Sequence, residues 1–312
     1  MVNRLPVRNE FGFQWMLNGP GHFQVCGRTT EALPPGAYNC YLDNCGNAHF
    51  QARDLAVDEL IHFPDNLPAK VLSEIKLFWA NGDRFRRYGF LHRRGYLFYG
   101  KQGCGKSSLI HQIVSAVVAE GNVAFFCQHP YGFIRAAEKF RQVEPDRPIV
   151  CVFEDIDAII QQYGDSELLQ WLDGNSQVDK AVNIASTNYP EKLDRRIVSR
   201  PRRFDRILRI DAPDARVREA YFARKVSDLG AADLAKWVEL TDGLPFAALA
   251  EMVISVRCLG NDLEESAKLL KSLDAHNPSS LEFADGTPEN NGDGGNEDDP
   301  DGVPANNGQI PF

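Results

Sequence analysis

The clearest chemistry in this chain lies in eight consecutive residues, Gly100-Lys101-Gln102-Gly103-Cys104-Gly105-Lys106-Ser107. They fit the pattern Gly-x-x-x-x-Gly-Lys-Ser/Thr, a loop whose backbone N–H groups cradle phosphates. The context the pattern needs is present: an apolar, strand-like run (Gly95–Tyr99) precedes it, and an amphipathic, helix-like run (Ser107–Val114) follows. The glycines let the backbone curl around phosphate oxygens, and a helix N-terminus adds positive partial charge. In such a loop Lys106 reaches the β- and γ-phosphates, Ser107 ligates Mg²⁺, and Ser108 completes the phosphate-binding set.

A second group of residues follows further along. The apolar run Ile149-Val150-Cys151-Val152-Phe153 ends in Glu154-Asp155-Ile156-Asp157. Beside a phosphate loop, a buried strand that ends in carboxylates can give one acid to Mg²⁺ and another to an attacking water. Glu154 and Asp155 are the candidates for these two roles. The sequence leaves open which of the two polarises the water. A third run, Asn183–Thr187, ends in the amide of Asn188, and six arginines then fall between Arg195 and Arg206. Clustered arginine suits contacts to a nucleic-acid phosphate backbone.

The elements that would position these groups follow from hydrophobic pattern. Residues 59–212 alternate strand-like and helix-like runs, which points to an α/β fold with a parallel sheet. The expected strands are Gly95–Tyr99, Val123–Gln128, Ile149–Phe153, Ala181–Ala185 and Ile207–Ile210. Residues 213–276 show helical periodicity broken at Gly230, Gly243-Leu244-Pro245 and Gly260-Asn261, and are expected to form a small helical lid. Residues 1–58, rich in aromatics, Gly and Pro, read as a small β-rich N-terminal region. From residue 277 onward Asn, Gly, Asp, Pro and Glu dominate, a composition expected to stay disordered.

Taken together, these motifs resemble those of the AAA+ ATPases, specifically the AAA clade, over roughly residues 59–274. Pro190–Asp194 and Arg200–Arg206 resemble the family's second region of homology. Asp173-Gly174 matches the Leu-Asp-Gly before sensor 1, and Thr241–Leu249 is similar to the start of the lid helix near adenine. The nearest branch is the mitochondrial Rieske-protein translocase type, which shares the Glu-Asp order and an Arg-Gly run like Arg93-Arg94-Gly95. The resemblance implies ATP and Mg²⁺ as ligands. It implies a ring of six subunits acting on a protein substrate. It also implies that Glu154 lies on the metal side with Ser107 and Asp155 on the water side, that Asn188 is sensor 1, that Phe246 and Ala247 lie near adenine, and that Arg200 and Arg203 are fingers reaching a neighbour's ATP. Arg202 stands where the family usually has Gly. Tyr131-Gly132-Phe133 has the aromatic–Gly character of a substrate-gripping loop, or else is a turn followed by helix packing.

Charge and cysteine set further bounds. The net charge is −9, yet residues 281–312 hold eight carboxylates and no Lys or Arg. Setting those aside leaves 35 acids to 34 bases, so the body is near neutral. That argues mildly against a nucleic-acid motor, the second reading after a protein remodeller; a nucleotide-gated scaffold with little turnover is the third. The tail argues the other way. Its acidic run ends in Ile310-Pro311-Phe312 and resembles the C-terminal peptide of bacterial single-stranded-DNA-binding proteins, which would recruit DNA-metabolism partners; a solvating tail is the alternative. The seven cysteines are scattered. Cys40 and Cys45 form the only close pair, read as reduced thiols rather than a zinc site. No apolar run reaches the roughly 18–20 residues that span a bilayer, and no apolar segment follows Met1–Glu10 as a signal peptide requires. The expectation is a cytoplasmic protein with no membrane contact.

Overall fold

Buried apolar runs flanked by helices organise this chain around one large sheet. The computed structural model describes residues 14–20, 22–27, 29–55, 67–174, 176, 178–194, 197 and 202–275. β1 (Gln14–Gly19) and β2 (His22–Cys26) form an antiparallel hairpin of their own. β3 (Gly36–Leu42) and β4 (Ala48–Ala52) form a second hairpin. α1 (Leu67–Ala80) and α2 (Gly82–Arg87) lead into β5 (Arg93–Tyr99). Then come α3 (Lys106–Ala119), β6 (Val123–Cys127), α4 (Pro130–Val143) and β7 (Ile149–Phe153). α5 (Ile156–Tyr163), α6 (Ser166–Asp173), β8 (Ala181–Thr187) and β9 (Arg206–Arg209) follow.

The main sheet has seven strands in the order β4-β3-β6-β7-β8-β5-β9. All neighbours pair in parallel except β3 and β4. β6, β7 and β8 are buried along their whole length, which is why β6 and β7 read as continuous apolar runs rather than alternations, while β8 also buries Asn183, Ser186 and Thr187. One face carries α1 and α3, with Ile75, Leu109, Ile110, Ile113 and Val114 in its core. The other face carries α4, α5 and α6 around Phe125, Phe133, Phe153 and Trp171. This is a three-layer α/β fold of the P-loop type, with strands close to the expected spans.

Two segments left open by the sequence take definite form. Within the β-rich region 1–58, β3 pairs in parallel with β6, Tyr38 opposite Phe125 and Cys40 opposite Cys127. That hairpin therefore extends the main sheet, because a row of unpaired backbone groups on β6 is satisfied by the nearest apolar strand. Tyr131-Gly132-Phe133 is not a loop. α4 begins two residues after β6, with Pro130 in its first turn and the His129 side chain accepting from the Gly132 N–H. Phe133 is fully buried against Phe153 and Trp171, while Tyr131 stays exposed. The turn-and-packing alternative describes this segment.

The C-terminal helices are α7 (Ala215–Lys225), α8 (Ala231–Leu240), α9 (Phe246–Val253) and α10 (Leu263–Ala275), with a π turn at Ile254–Cys258. They share a core of Phe222, Trp237, Phe246, Leu249 and Met252. Asp214 caps α7 by accepting from the Val217 N–H at 2.9 Å. Cys40 is buried and Cys45 exposed, and among the described residues no cluster of three or more His, Cys, Asp or Glu could hold a metal. The acidic tail and its Ile-Pro-Phe tip lie outside the described residues. Among those described, no helix is long and apolar enough to cross a membrane.

Candidate functional site

The end of β5 turns through Gly100–Gly105 into α3. Gly103 and Gly105 have φ of +78° and +95°, a region that costs other residues steric energy. Gly105 is also the N-cap of α3, so no side chain competes for the helix's first amides and they remain available to an anion. Lys106 is buried, and its ammonium donates to the carbonyls of Gly100 (2.8 Å) and Lys101 (2.9 Å). Burial pulls its pKa down, while Cys104, Asp155 and Asp157 pull it back up. Cys104 is wholly buried under the loop, which pushes its thiol pKa up.

A cavity of about 630 Å³ opens over this loop, lined by Gln102, Lys106, Ser107, Ser108, Asp155 and Asn188 among others. An adjoining cavity of about 290 Å³ is lined by Leu109, Ile210, Pro213 and Val217, and Phe246 borders both. The phosphate chamber is thus bordered through Phe246 by a second cavity with apolar walls at Leu109, Ile210 and Val217 and charged groups at Arg209, Asp211 and Asp214, room for a ring beside a polyphosphate. The lid closes the loop side. The Ala247 N–H donates to the Gly103 carbonyl at 3.3 Å, and Lys101 pairs with Asp274 of α10 at 2.8 Å.

The acids divide between two places. Asp155, with φ of +47°, starts α5 and faces the phosphate chamber. Its N–H donates to Ser186 Oγ at 3.2 Å, and its carboxylate accepts from Asn188 Nδ2 at 3.2 Å. Asp157 accepts from Thr187 Oγ1 at 2.6 Å. Burial, then Asp157 and Glu154, raise the Asp155 pKa against the pull of Lys106. Glu154 does not line the chamber. Its Oε2 accepts from Arg53 at 3.0 Å, and its Oε1 lies 3.5 Å from His111 Nε2. That second contact is electrostatic, too long to be a good hydrogen bond. Burial would raise the Glu154 pKa, but the His111 and Arg53 partners outweigh it and the net direction is down.

Arginine behaves differently from expectation as well. Arg203 is only 4% exposed and makes a two-pronged pair with Asp173, Nε to Oδ2 at 2.7 Å and a second N–H to Oδ1 at 2.8 Å. Asp205 holds Gly95 of β5 by two bonds, its N–H donating to the Gly95 carbonyl and its carboxylate accepting from the Gly95 N–H, and a side chain on Gly95 would sit 2.0 Å from the Arg203 carbonyl oxygen. This close packing turns Arg203 inward. Arg200 lies outside the described residues. Arg202 adopts φ of +78°, the conformation that glycine takes freely, with its guanidinium 5.6 Å from the Phe90 ring centre.

Residues 96–212 match the model of the "ATPase family associated with various cellular activities (AAA)". The chain carries an AAA ATPase domain. It is similar to "ATP-dependent zinc metalloprotease FtsH 1" of Sorangium cellulosum, 32% identical over 208 residues, 58% of this chain and 33% of that protein. The same-named protein of Methylacidiphilum infernorum is 30% identical over 222 residues, 64% of this chain and 33% of that protein. FtsH of Pelodictyon phaeoclathratiforme is 29% identical over 207 residues, 58% and 30% of the two chains. The chain spans about a third of the length of these relatives.

ATP and Mg²⁺ are the ligands of an AAA ATPase domain, and the residues present fit them. An uncapped helix start and a lysine held by loop carbonyls suit phosphate. One hydroxyl and one carboxylate at a crowded acidic edge suit a cation that keeps phosphate and water as its other ligands. The AAA site thus brings together Gly100–Ser108, Asp155, Asn188, Phe246 and Ala247. It does not bring in Glu154, expected at the metal, because Arg53 and His111 hold that carboxylate. Nor does Arg203 point outward. Arg53, His111 and Thr187 were given no role from the sequence. Asp157 is the one with a sequence signal, since it closes the same acidic run two residues beyond Asp155.

Proposed function

We propose that this chain is a ring-forming ATPase, a hexamer, that couples ATP hydrolysis to remodelling or moving a protein substrate. One observation supports the ring: the run Arg200–Arg206 resembles the family's finger segment, while the described lining of the phosphate chamber supplies positive charge through Lys106 and Lys225. Phosphoryl transfer builds negative charge that an arginine commonly offsets, worth about 10³–10⁵ in rate. A neighbouring subunit is the natural source, with Arg200 as the donor. Arg203, paired with Asp173, holds that segment in place.

Within one subunit Lys106 neutralises phosphate oxygens and Ser107 holds the cation with Asp155 nearby. Bound Mg²⁺ supplies positive charge to the phosphoryl oxygens. Asp155 accepts the proton of the attacking water, and the Asn188 amide fixes the orientation of that carboxylate. Leu109, Val217 and Phe246 exclude water from the adenine ring.

The relatives' names, ATP-dependent proteases, support a protein substrate. The Arg93-Arg94-Gly95 run and the Glu154-Asp155 order support the finer likeness to the Rieske-protein translocase branch. The test is ATPase turnover at rising chain concentration, with unfolded protein or with single-stranded DNA. The expected result is cooperative onset with concentration and stimulation by protein. Turnover independent of concentration would sink the ring, and stimulation by DNA alone would make this a nucleic-acid motor.

A further inference from the structure

Four elements converge behind the phosphate chamber on a cluster that the ATPase reading does not use. Arg53 directly follows β4, Phe126 lies on β6, His111 lies on α3 one turn beyond Ser107, and Glu154 follows β7. The Arg53 guanidinium sits 4.0 Å from the centre of the Phe126 ring and donates to Glu154 at 3.0 Å. His111 meets the same ring edge-on at 6.2 Å and approaches Glu154 from the other side. The Arg53 backbone is fixed independently, its N–H donating to the Ala37 carbonyl at 2.8 Å. Stacking and a charge-assisted bond together leave the guanidinium little freedom.

We propose that Arg53 is a positioning residue of the ATPase site, holding Glu154 back from the phosphate chamber so that Asp155 alone faces the phosphates. The inference rests on the ATPase reading. It makes the β3–β4 hairpin a working part of the AAA unit, since the hairpin carries the group that restrains the strand-end acid. Without Arg53, Glu154 would be a half-buried carboxylate lacking its strongest partner, beside a helix whose first turn holds Ser107. It would then swing into the phosphate chamber toward the cation and crowd Asp155, the base, from beside it.

The test uses the full chain with Arg53→Ala, Arg53→Lys, Glu154→Gln and the Arg53→Ala/Glu154→Gln double variant. Turnover is measured together with the affinity of a fluorescent ATP analogue, with and without Mg²⁺. Arg53→Ala should lower kcat about tenfold with KM within about threefold, and Arg53→Lys should recover part of the loss. It should also change the ratio of analogue affinities with and without Mg²⁺ by about threefold or more. Both effects should vanish in the double variant, which should match Glu154→Gln within about twofold, because Arg53 acts only through Glu154. Losses that multiply in the double variant, or an unchanged kcat and Mg²⁺ ratio in Arg53→Ala, would overturn the inference. A wild-type chain that binds the analogue while the ratio ignores Arg53 overturns this inference alone. A wild-type chain that binds no nucleotide overturns the ATPase reading and this inference with it.

Discussion

Asp155 is one carboxylate with three neighbours that set its behaviour. Burial raises its pKa, the charges of Asp157 and Glu154 raise it further, and Lys106 opposes them. A base must be ionised to take a proton from water, so turnover should fall on the acid side at a higher pH than an ordinary aspartate near 3.8 would give. Asp157→Asn removes one of the raising charges and keeps an oxygen for the Thr187 hydroxyl. The acid limb of the kcat profile should therefore move to lower pH in that variant, and a limb that stays put would assign it to another group. Asp155→Asn should still bind ATP but lose turnover by about 10²-fold or more. If Glu154→Gln shows that behaviour and Asp155→Asn does not, the two roles are reversed.

The elements tell how the arginine segment is held. Arg202 occupies a left-handed conformation, which costs a residue with a side chain about 1–2 kcal/mol, while glycine carries an unfolded-state cost of about 0.5–1 kcal/mol. Arg202→Gly should thus stabilise the fold by about 0.5–1 kcal/mol in urea denaturation. A loss of stability would show that the contact with Phe90 outweighs the strain. Asp173→Ala should act in the opposite direction, by about 3 kcal/mol, because it strands the buried Arg203 charge. The same segment shows where the sequence stops being legible. The phosphate loop and the central strands are local patterns: glycine spacing, a helix start, runs of apolar residues buried on both faces. Arg203 turns inward because of Asp173, thirty positions earlier, and because Gly95 lets β5 approach its backbone. Glu154 is drawn from the chamber by Arg53, and β3 finds its place only against β6. No periodicity within a window encodes such distant pairings, and short strands rich in Gly and Pro do not announce their partners.

At the scale of the whole molecule, a site shared between subunits can be tested by dividing its defects. If Arg200 of one subunit completes the chamber of the next, then Arg200→Ala and Asp155→Asn break the same composite site from opposite sides. Each variant alone should be inactive, since every interface in its ring lacks either the arginine or the base. In an equal mixture, an Arg200→Ala subunit still has its own Asp155, and an Asp155→Asn neighbour still offers Arg200. Such an interface is whole. With random assembly into a closed ring and independent sites, about a quarter of the interfaces are of this kind, so the mixture should regain about a quarter of wild-type turnover. Recovery should peak at the equal ratio and disappear on dilution below assembly. If Arg200 served its own subunit, every chain in the mixture would still carry one defect, and no ratio would restore turnover. Absence of recovery in rings shown by sedimentation to contain both variants would therefore exclude the shared site, and with it the reason for supposing that the chain needs neighbours to turn over.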